Sequence, residues 1–172
     1  MHRSLKAALL AIAVIFGLPI AAFLTWDLVA FQQHVPEIQR VLAQAAPAER
    51  QPPPLTQRMI ETSVRGFVAS HAASRVFLRL YPDSGNTAGT RALWAIAVKV
   101  HFNRAERITL FATLIKLDDR ARQMYGRSLS ALSDIEVARV LAMSLSPSYY
   151  ANHPDRMQRQ AERILREAQA LP

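Results

Sequence analysis

The pattern of apolar and polar positions divides the chain into an uncharged start and a longer remainder with helical periodicity. Residues 7–26 contain no charged side chain. A helix of about 20 apolar residues can cross the roughly 30 Å hydrocarbon core of a bilayer. Arg3 and Lys6 precede this run and Asp27 follows it. Because basic residues favour the cytoplasmic side, the pattern predicts a single-pass protein of the cytoplasmic (inner) membrane, with a cytoplasmic N-terminus (1–6) and an extracytoplasmic C-terminal domain.

Two other interpretations of the uncharged run are open. A cleaved signal peptide has a shorter apolar region of roughly 7–15 residues, followed by a cleavage site between small residues. A buried core helix of this length usually contains some polar residues. A retained transmembrane anchor is the interpretation that the length of the run favours.

Beyond the anchor, apolar residues recur at the spacing of an amphipathic helix. Residues 27–54 predict a juxtamembrane stalk that ends in a proline-rich extended linker, and the folded domain is expected at 55–172. Within that domain, the segment from Leu55 to Tyr81 predicts one long helix. No stretch alternates between apolar and polar residues in the manner of a strand, so the predicted fold is all-α.

Local signals mark several helix boundaries further along the chain. Asn103 can cap the start of a helix, and Gly126 can end one in a left-handed conformation. Ser133 and Glu136 have the spacing of a capping box. Pro147 predicts the end of a helix, and Pro154 predicts the first turn of the last one.

Charge and composition narrow the candidate chemistry. The 172-residue chain has a formal net charge of +8, which favours polyanions such as nucleic acid, anionic headgroups or a pyrophosphate. It contains no cysteine and its five histidines do not cluster, so the sequence predicts neither a disulfide nor a metal site. No glycine-rich phosphate loop is present, and no cofactor is predicted. An extracytoplasmic domain argues against a nucleic-acid partner.

An ordered series of short motifs occupies the chain from Leu117 onward: Ala121 with Met124–Arg127, Leu132–Ala138, Leu141-Ala142, Pro147–Tyr150 and Pro154. In order and spacing this series resembles the peptidoglycan glycosyltransferase family, the lysozyme-like domain of class A penicillin-binding proteins and monofunctional transglycosylases. The resemblance implies a lysozyme-like helical domain and a role in cell-wall assembly. The partners it implies are the cytoplasmic membrane, lipid II or glycan strands, and a cell-wall synthase.

The family's first catalytic glutamate lies in the motif E-D-x-x-F-x-x-H-x-G. Alignment on His71 places Val64 at the glutamate and Arg65 at the aspartate. Glu61, three residues before Val64, is the candidate for a base in a divergent site. By this resemblance Glu61 is the candidate catalytic residue, and Arg65 and His71 are candidate substrate-binding residues.

The family's second glutamate belongs to an R-K-x-x-E segment. Arg91 matches the start of that segment and is the third candidate substrate-binding residue. No carboxylate occurs between Asp83 and Glu106, so the glutamate itself is missing. Loss of a catalytic base removes assistance worth typically 10²–10⁴-fold.

The resulting hypothesis is a degenerate glycosyltransferase-like protein that binds lipid-linked precursor, glycan or a synthase and does not polymerise. Three alternatives are open. The first is a divergent active transferase that uses Glu61 as its base. The second is a helical interaction or scaffold protein of the cell envelope that binds no carbohydrate. The third is a nucleic-acid binder, which requires a cytoplasmic domain.

Overall fold

All regular secondary structure that a computed structural model describes for this protein is helical. The structure describes residues 14–15, 17–84 and 88–171, and these ranges contain no strand. The prediction of an all-α fold is confirmed. Clustering of contacts divides the chain into two compact units, one ending at Glu37 and the other beginning at Ile38.

The first unit contains the whole described part of the predicted anchor. Residues 17–26 are helical, and a π-helical turn, Asp27–Phe31, and a 3-10 turn, Gln32–His34, follow. Leu18, Leu24 and other large apolar side chains of this unit are exposed.

The prediction of a single-pass membrane protein is wrong. Among the described residues, no helix is long and apolar enough to cross a bilayer. An uncharged run establishes composition only, and composition does not establish a helix of the roughly 20 residues that a span requires. Residues 1–13 and Phe16, which include the predicted cytoplasmic N-terminus and part of the predicted anchor, lie outside the described residues.

The second unit is built from helices joined by short turns. A 3-10 turn, Leu129–Ala131, interrupts the series. In chain order the helices are α1 (Val35–Ala43, which begins in the first unit), α2 (Pro47–Arg50), α3 (Pro54–Ser63), α4 (Val68–Leu80), α5 (Ala88–His101), α6 (Arg104–Leu114), α7 (Leu117–Tyr125), α8 (Asp134–Leu145), α9 (Pro147–Ala151) and α10 (Pro154–Gln169).

Helix α6 lies at the centre of this unit. Five consecutive residues, Ile108–Ala112, are buried, because α6 packs against α3, α4 and α7. On the other side of the core, α10 packs against both α3 and α8. The largest fully buried side chains that these helices contribute are Met59, Ile60, Ile108, Leu110, Phe111, Leu117, Leu141 and Ile164.

The predicted long helix from Leu55 to Tyr81 is two helices, α3 and α4, separated by a turn. Arg65 and Gly66 have φ values of 52° and 77°, which lie in the left-handed region and end a right-handed helix. The Gly66 amide donates to the carbonyl of Glu61 at 2.8 Å. Apolar periodicity continues across the turn, and for this reason it did not reveal the break.

The proline-rich segment also differs from the extended linker expected. It contains α2, and the side chain of Glu49 is buried. Glu49 Oε1 accepts a hydrogen bond from the Asp118 amide at 2.9 Å, near the start of α7. The segment is therefore packed against the helical domain.

The boundary signals of the C-terminal half are confirmed. Asn103 Oδ1 accepts from the Glu106 amide at 3.0 Å, and Glu106 Oε2 accepts from the Asn103 amide at 2.7 Å. Gly126, with φ 67°, follows the last residue of α7. Helix α8 ends at Leu145, two residues before Pro147.

Candidate functional site

The main cleft of the helical domain lies where four helix ends meet. The end of α3, the start of α4, the C-terminal half of α5 and the start of α6 enclose a volume of about 430 Å³. Its charged lining consists of one carboxylate and three cations, Glu61, Lys99, Arg104 and Arg107. The cleft is therefore electropositive and suited to an anionic ligand.

A bidentate ion pair spans the cleft between α3 and α6. Arg104 donates from Nε to Glu61 Oε1 and from Nη2 to Glu61 Oε2, each at 2.7 Å. The side chains are 60% and 24% exposed respectively, so the pair is open to solvent. The hydrogen bond and charge of Glu61 raise the pKa of Arg104 above its ordinary value. Both oxygens of the candidate base are thus engaged.

The other two cations of the cleft differ in how firmly they are held. Arg107 Nη1 donates to the carbonyls of Lys99 and Phe102 at 3.1 and 2.8 Å, which fixes its guanidinium at the C-terminus of α5. Lys99 forms no ion pair with any described residue, and its ammonium group is exposed.

Apolar side chains line the same cleft beside these cations. Phe67, the residue before α4, is 64% exposed, and Ile96 of α5 is 48% exposed. Val100 is 65% exposed one turn after Ile96 and extends this apolar strip. The cleft therefore offers cations together with an unpartnered apolar surface, which fits an amphiphilic ligand better than a free ion.

A second, more open cavity brings two of the predicted site residues together. Glu61 and Arg65 both line it, with Gly66 and with Glu167 and Leu171 from the C-terminal end. Glu61 also lines the main cleft. Its carboxyl group therefore lies between the two cavities.

The other two predicted site residues, His71 and Arg91, line a third cavity of about 220 Å³ with Ser70 and Ser74. Partial burial lowers the pKa of His71, and the charge of Arg75 lowers it further. The rings of His71 and Phe111 form an edge-to-face pair, with a centroid distance of 6.1 Å. Ser70 also lines the main cleft, so the two cavities adjoin.

The sequence did not identify Lys99, Arg104 and Arg107 as site residues. Arg104 lies 43 positions from Glu61, and no local pattern links residues so far apart. The sequence offered only an indirect signal for Arg104: Asn103 predicts a helix start, and the residues after it belong to the first turn of that helix. Catalytic and substrate-binding roles for Glu61, Arg65, His71 and Arg91 remain predictions.

Comparison with known proteins identifies no relative: no family model, no curated protein and no solved structure matches the chain. Within residues 14–15, 17–84 and 88–171, no three histidine or acidic side chains are grouped closely enough to hold a metal ion.

Proposed function

We propose that this protein is a peptidoglycan glycosyltransferase-like protein of cell-wall assembly that binds a pyrophosphate-linked saccharide precursor, or glycan, in the main cleft without polymerising it. The ordered motifs from Leu117 onward support the family assignment, and a lysozyme-like arrangement of the helices is part of the proposal. The observation that carries the proposal is the bidentate pair between Glu61 and Arg104 at 2.7 Å. A general base must accept a proton from the acceptor hydroxyl. In the free protein Arg104 binds both Glu61 oxygens, and Arg65, which lines the second cavity with Glu61, can bind them when a ligand occupies Arg104.

Two features of the cleft support binding. Three cations against one carboxylate favour an anionic group such as a pyrophosphate. The exposed ring of Phe67 and the exposed side chain of Ile96 can cover the apolar part of a lipid-linked ligand.

The test combines turnover with binding. Purified full-length protein is incubated with lipid II in a polymerisation assay, in which we expect no glycan polymer, and lipid II binding is measured by fluorescence titration, in which we expect saturation. Glycan polymer that disappears in the Glu61→Gln variant would instead establish the divergent transferase.

Matched variants test the location of binding. Phe67→Ser should weaken lipid II binding roughly five- to tenfold, the loss expected for about 1–1.5 kcal/mol of apolar contact. Leu78→Ser is the control, because Leu78 lies on α4, is 45% exposed and lines none of the three cavities. Equal affinities of the two variants would contradict binding in this cleft.

A second candidate function rests on the same apolar strip. Phe67, Ile96 and Val100 are all exposed, and exposed apolar side chains also suit a partner helix. Co-purification with a cell-wall synthase, without measurable binding of lipid II or glycan, would favour this interaction role.

A further inference from the structure

Arg104 can bind an anion in the main cleft through two parallel donors, and a carboxylate of the protein itself already accepts from them. Its Nε and Nη2 both donate to the Glu61 carboxylate. We propose that Glu61 acts as an internal competitor, which holds Arg104 in the free protein and is displaced by a phosphate or pyrophosphate group of the ligand. This inference rests on the proposed function, since it takes the main cleft as the binding site.

The competition follows from shape and charge. A guanidinium group presents parallel donors that match a carboxylate and a phosphate equally well. A phosphate that enters the cleft meets Lys99 and Arg107 as additional cations. It can bind the Nε and Nη2 donors of Arg104 only after the Glu61 oxygens have left them.

The ion pair is suited to exchange because it is exposed. Arg104 and Glu61 side chains are 60% and 24% exposed, and pairs in contact with water contribute little to stability. Separation of the two side chains therefore costs far less than it would in a buried pair.

A displaced Glu61 has a second cation within its surroundings. Glu61 borders the second cavity as well as the main cleft, and Arg65 lines that second cavity. Arg65 forms no ion pair with a described residue. We therefore assign to Arg65 the position that receives the Glu61 carboxylate when an anion occupies Arg104.

The first experiment is calorimetric titration of the full-length protein with inorganic pyrophosphate. The Glu61→Gln variant should bind roughly fivefold more tightly than the unmodified protein, since an exposed ion pair is worth up to about that factor. The control is Asp119→Asn, which removes the same charge at an exposed residue that lines none of the three cavities and should leave the affinity unchanged.

The second experiment tests the role of Arg65 by a double-mutant cycle. Arg65→Gln should weaken pyrophosphate binding when Glu61 is present and have no effect in the Glu61→Gln background, because no carboxylate then needs a new partner. Equal effects in both backgrounds would show that Arg65 acts only through its charge and would overturn the assignment. Thermal melting of each variant verifies that it is folded.

The outcomes separate this inference from the proposed function. Pyrophosphate binding that Glu61→Gln leaves unchanged or weakens would overturn the competition and leave binding in the cleft intact. Absence of binding by every variant would overturn both. A parallel titration with farnesyl pyrophosphate identifies the source of the anion: tighter binding than of inorganic pyrophosphate indicates a lipid-linked ligand, and equal binding indicates a free anion. The proposed competition requires that the Glu61→Gln variant binds both inorganic pyrophosphate and farnesyl pyrophosphate more tightly than the unmodified protein does.

Discussion

The carboxylate of Asp118 accepts three hydrogen bonds, and its role is structural. Its side chain is nearly buried, at 4% exposure. Oδ1 accepts from the Leu129 amide and the Ser128 hydroxyl at 2.7 Å each, and Oδ2 accepts from Arg122 Nε at 2.9 Å. One side chain thereby fixes the turn that follows α7.

Replacement of this carboxylate should destabilise the fold. Asp118→Asn exchanges an acceptor for an amide that cannot accept all three bonds, and we expect a loss of about 1–3 kcal/mol in the free energy of unfolding. Urea denaturation at neutral pH measures the change. Asp119→Asn is the matched control, since Asp119 occupies the same helical turn but is exposed. A similar loss in both variants would assign the effect to the helix dipole.

The pH dependence of stability gives a second prediction for this residue. Burial alone would raise the pKa of Asp118, but hydrogen bonds from Leu129, Ser128 and Arg122 outweigh it and lower the pKa. A carboxyl group with a lowered folded-state pKa stabilises the protein fully above its unfolded pKa of about 4 and loses that contribution as the pH falls through the folded value.

Urea denaturation between pH 7 and pH 3 tests this dependence. The difference in unfolding free energy between the unmodified protein and Asp118→Asn should shrink as the pH falls below about 4. A difference that stays constant over this range would contradict the assignment of a lowered pKa.

For single residues, roles within one helical turn could be predicted from the sequence, whereas contacts that depend on the fold could not. Asn103, Gly126, Ser133 and Glu136 act within one helical turn, so their roles follow from spacing alone. The partners of the Asp118 carboxylate are at most 11 positions away, yet they depend on how the chain turns after α7. The pair of Glu61 with Arg104 depends on the packing of two helices.

At the scale of the element, the turn between α3 and α4 positions the candidate site. Arg65 and Gly66 adopt consecutive left-handed conformations, and the reversal places Glu61 and Phe67 on the same cleft. In a continuous helix, by contrast, the helical geometry alone would fix the positions of Glu61 and Phe67 relative to each other. The sequence offered Gly66 as the single indication of this break.

Glycine substitutions test the turn. Gly66→Ala should cost about 1–2 kcal/mol, because a Cβ is disfavoured at φ 77° even though no neighbouring atom lies within 4 Å. Gly89→Ala is the control, since Gly89 is helical with equally open surroundings and should be neutral or slightly stabilising. Thermal melting of both variants measures the contrast, and equal melting temperatures would contradict the left-handed turn.

At the scale of the whole helical domain, Glu49 joins the proline-rich segment to the C-terminal half. It supplies the side-chain acceptor for the Asp118 amide across 69 positions. The prediction of an extended linker rested on proline content, which disfavours long helices but permits a short one that begins with Pro47. Burial of Glu49 could not be read from composition.

Removal of this carboxylate should loosen the segment. Glu49→Ala leaves the Asp118 amide without its acceptor, and we expect a loss of about 0.5–2 kcal/mol, as for a removed helix cap. Hydrogen exchange should show faster exchange of the Asp118 amide in this variant and not in Gln51→Ala, where an exposed side chain is truncated. Unchanged protection in Glu49→Ala would exclude the capping role.

The packing of α10 against α3 has a consequence for how the chain matures on the ribosome. The apolar face of α3, with Met59 and Ile60, is fully covered only once α10 (Pro154–Gln169) has been synthesised. At synthesis rates of about 5–20 residues per second, roughly 5–20 s pass between the emergence of the two helices. During that interval the nascent chain carries an uncovered apolar surface, so holding chaperones have a defined window in which to act.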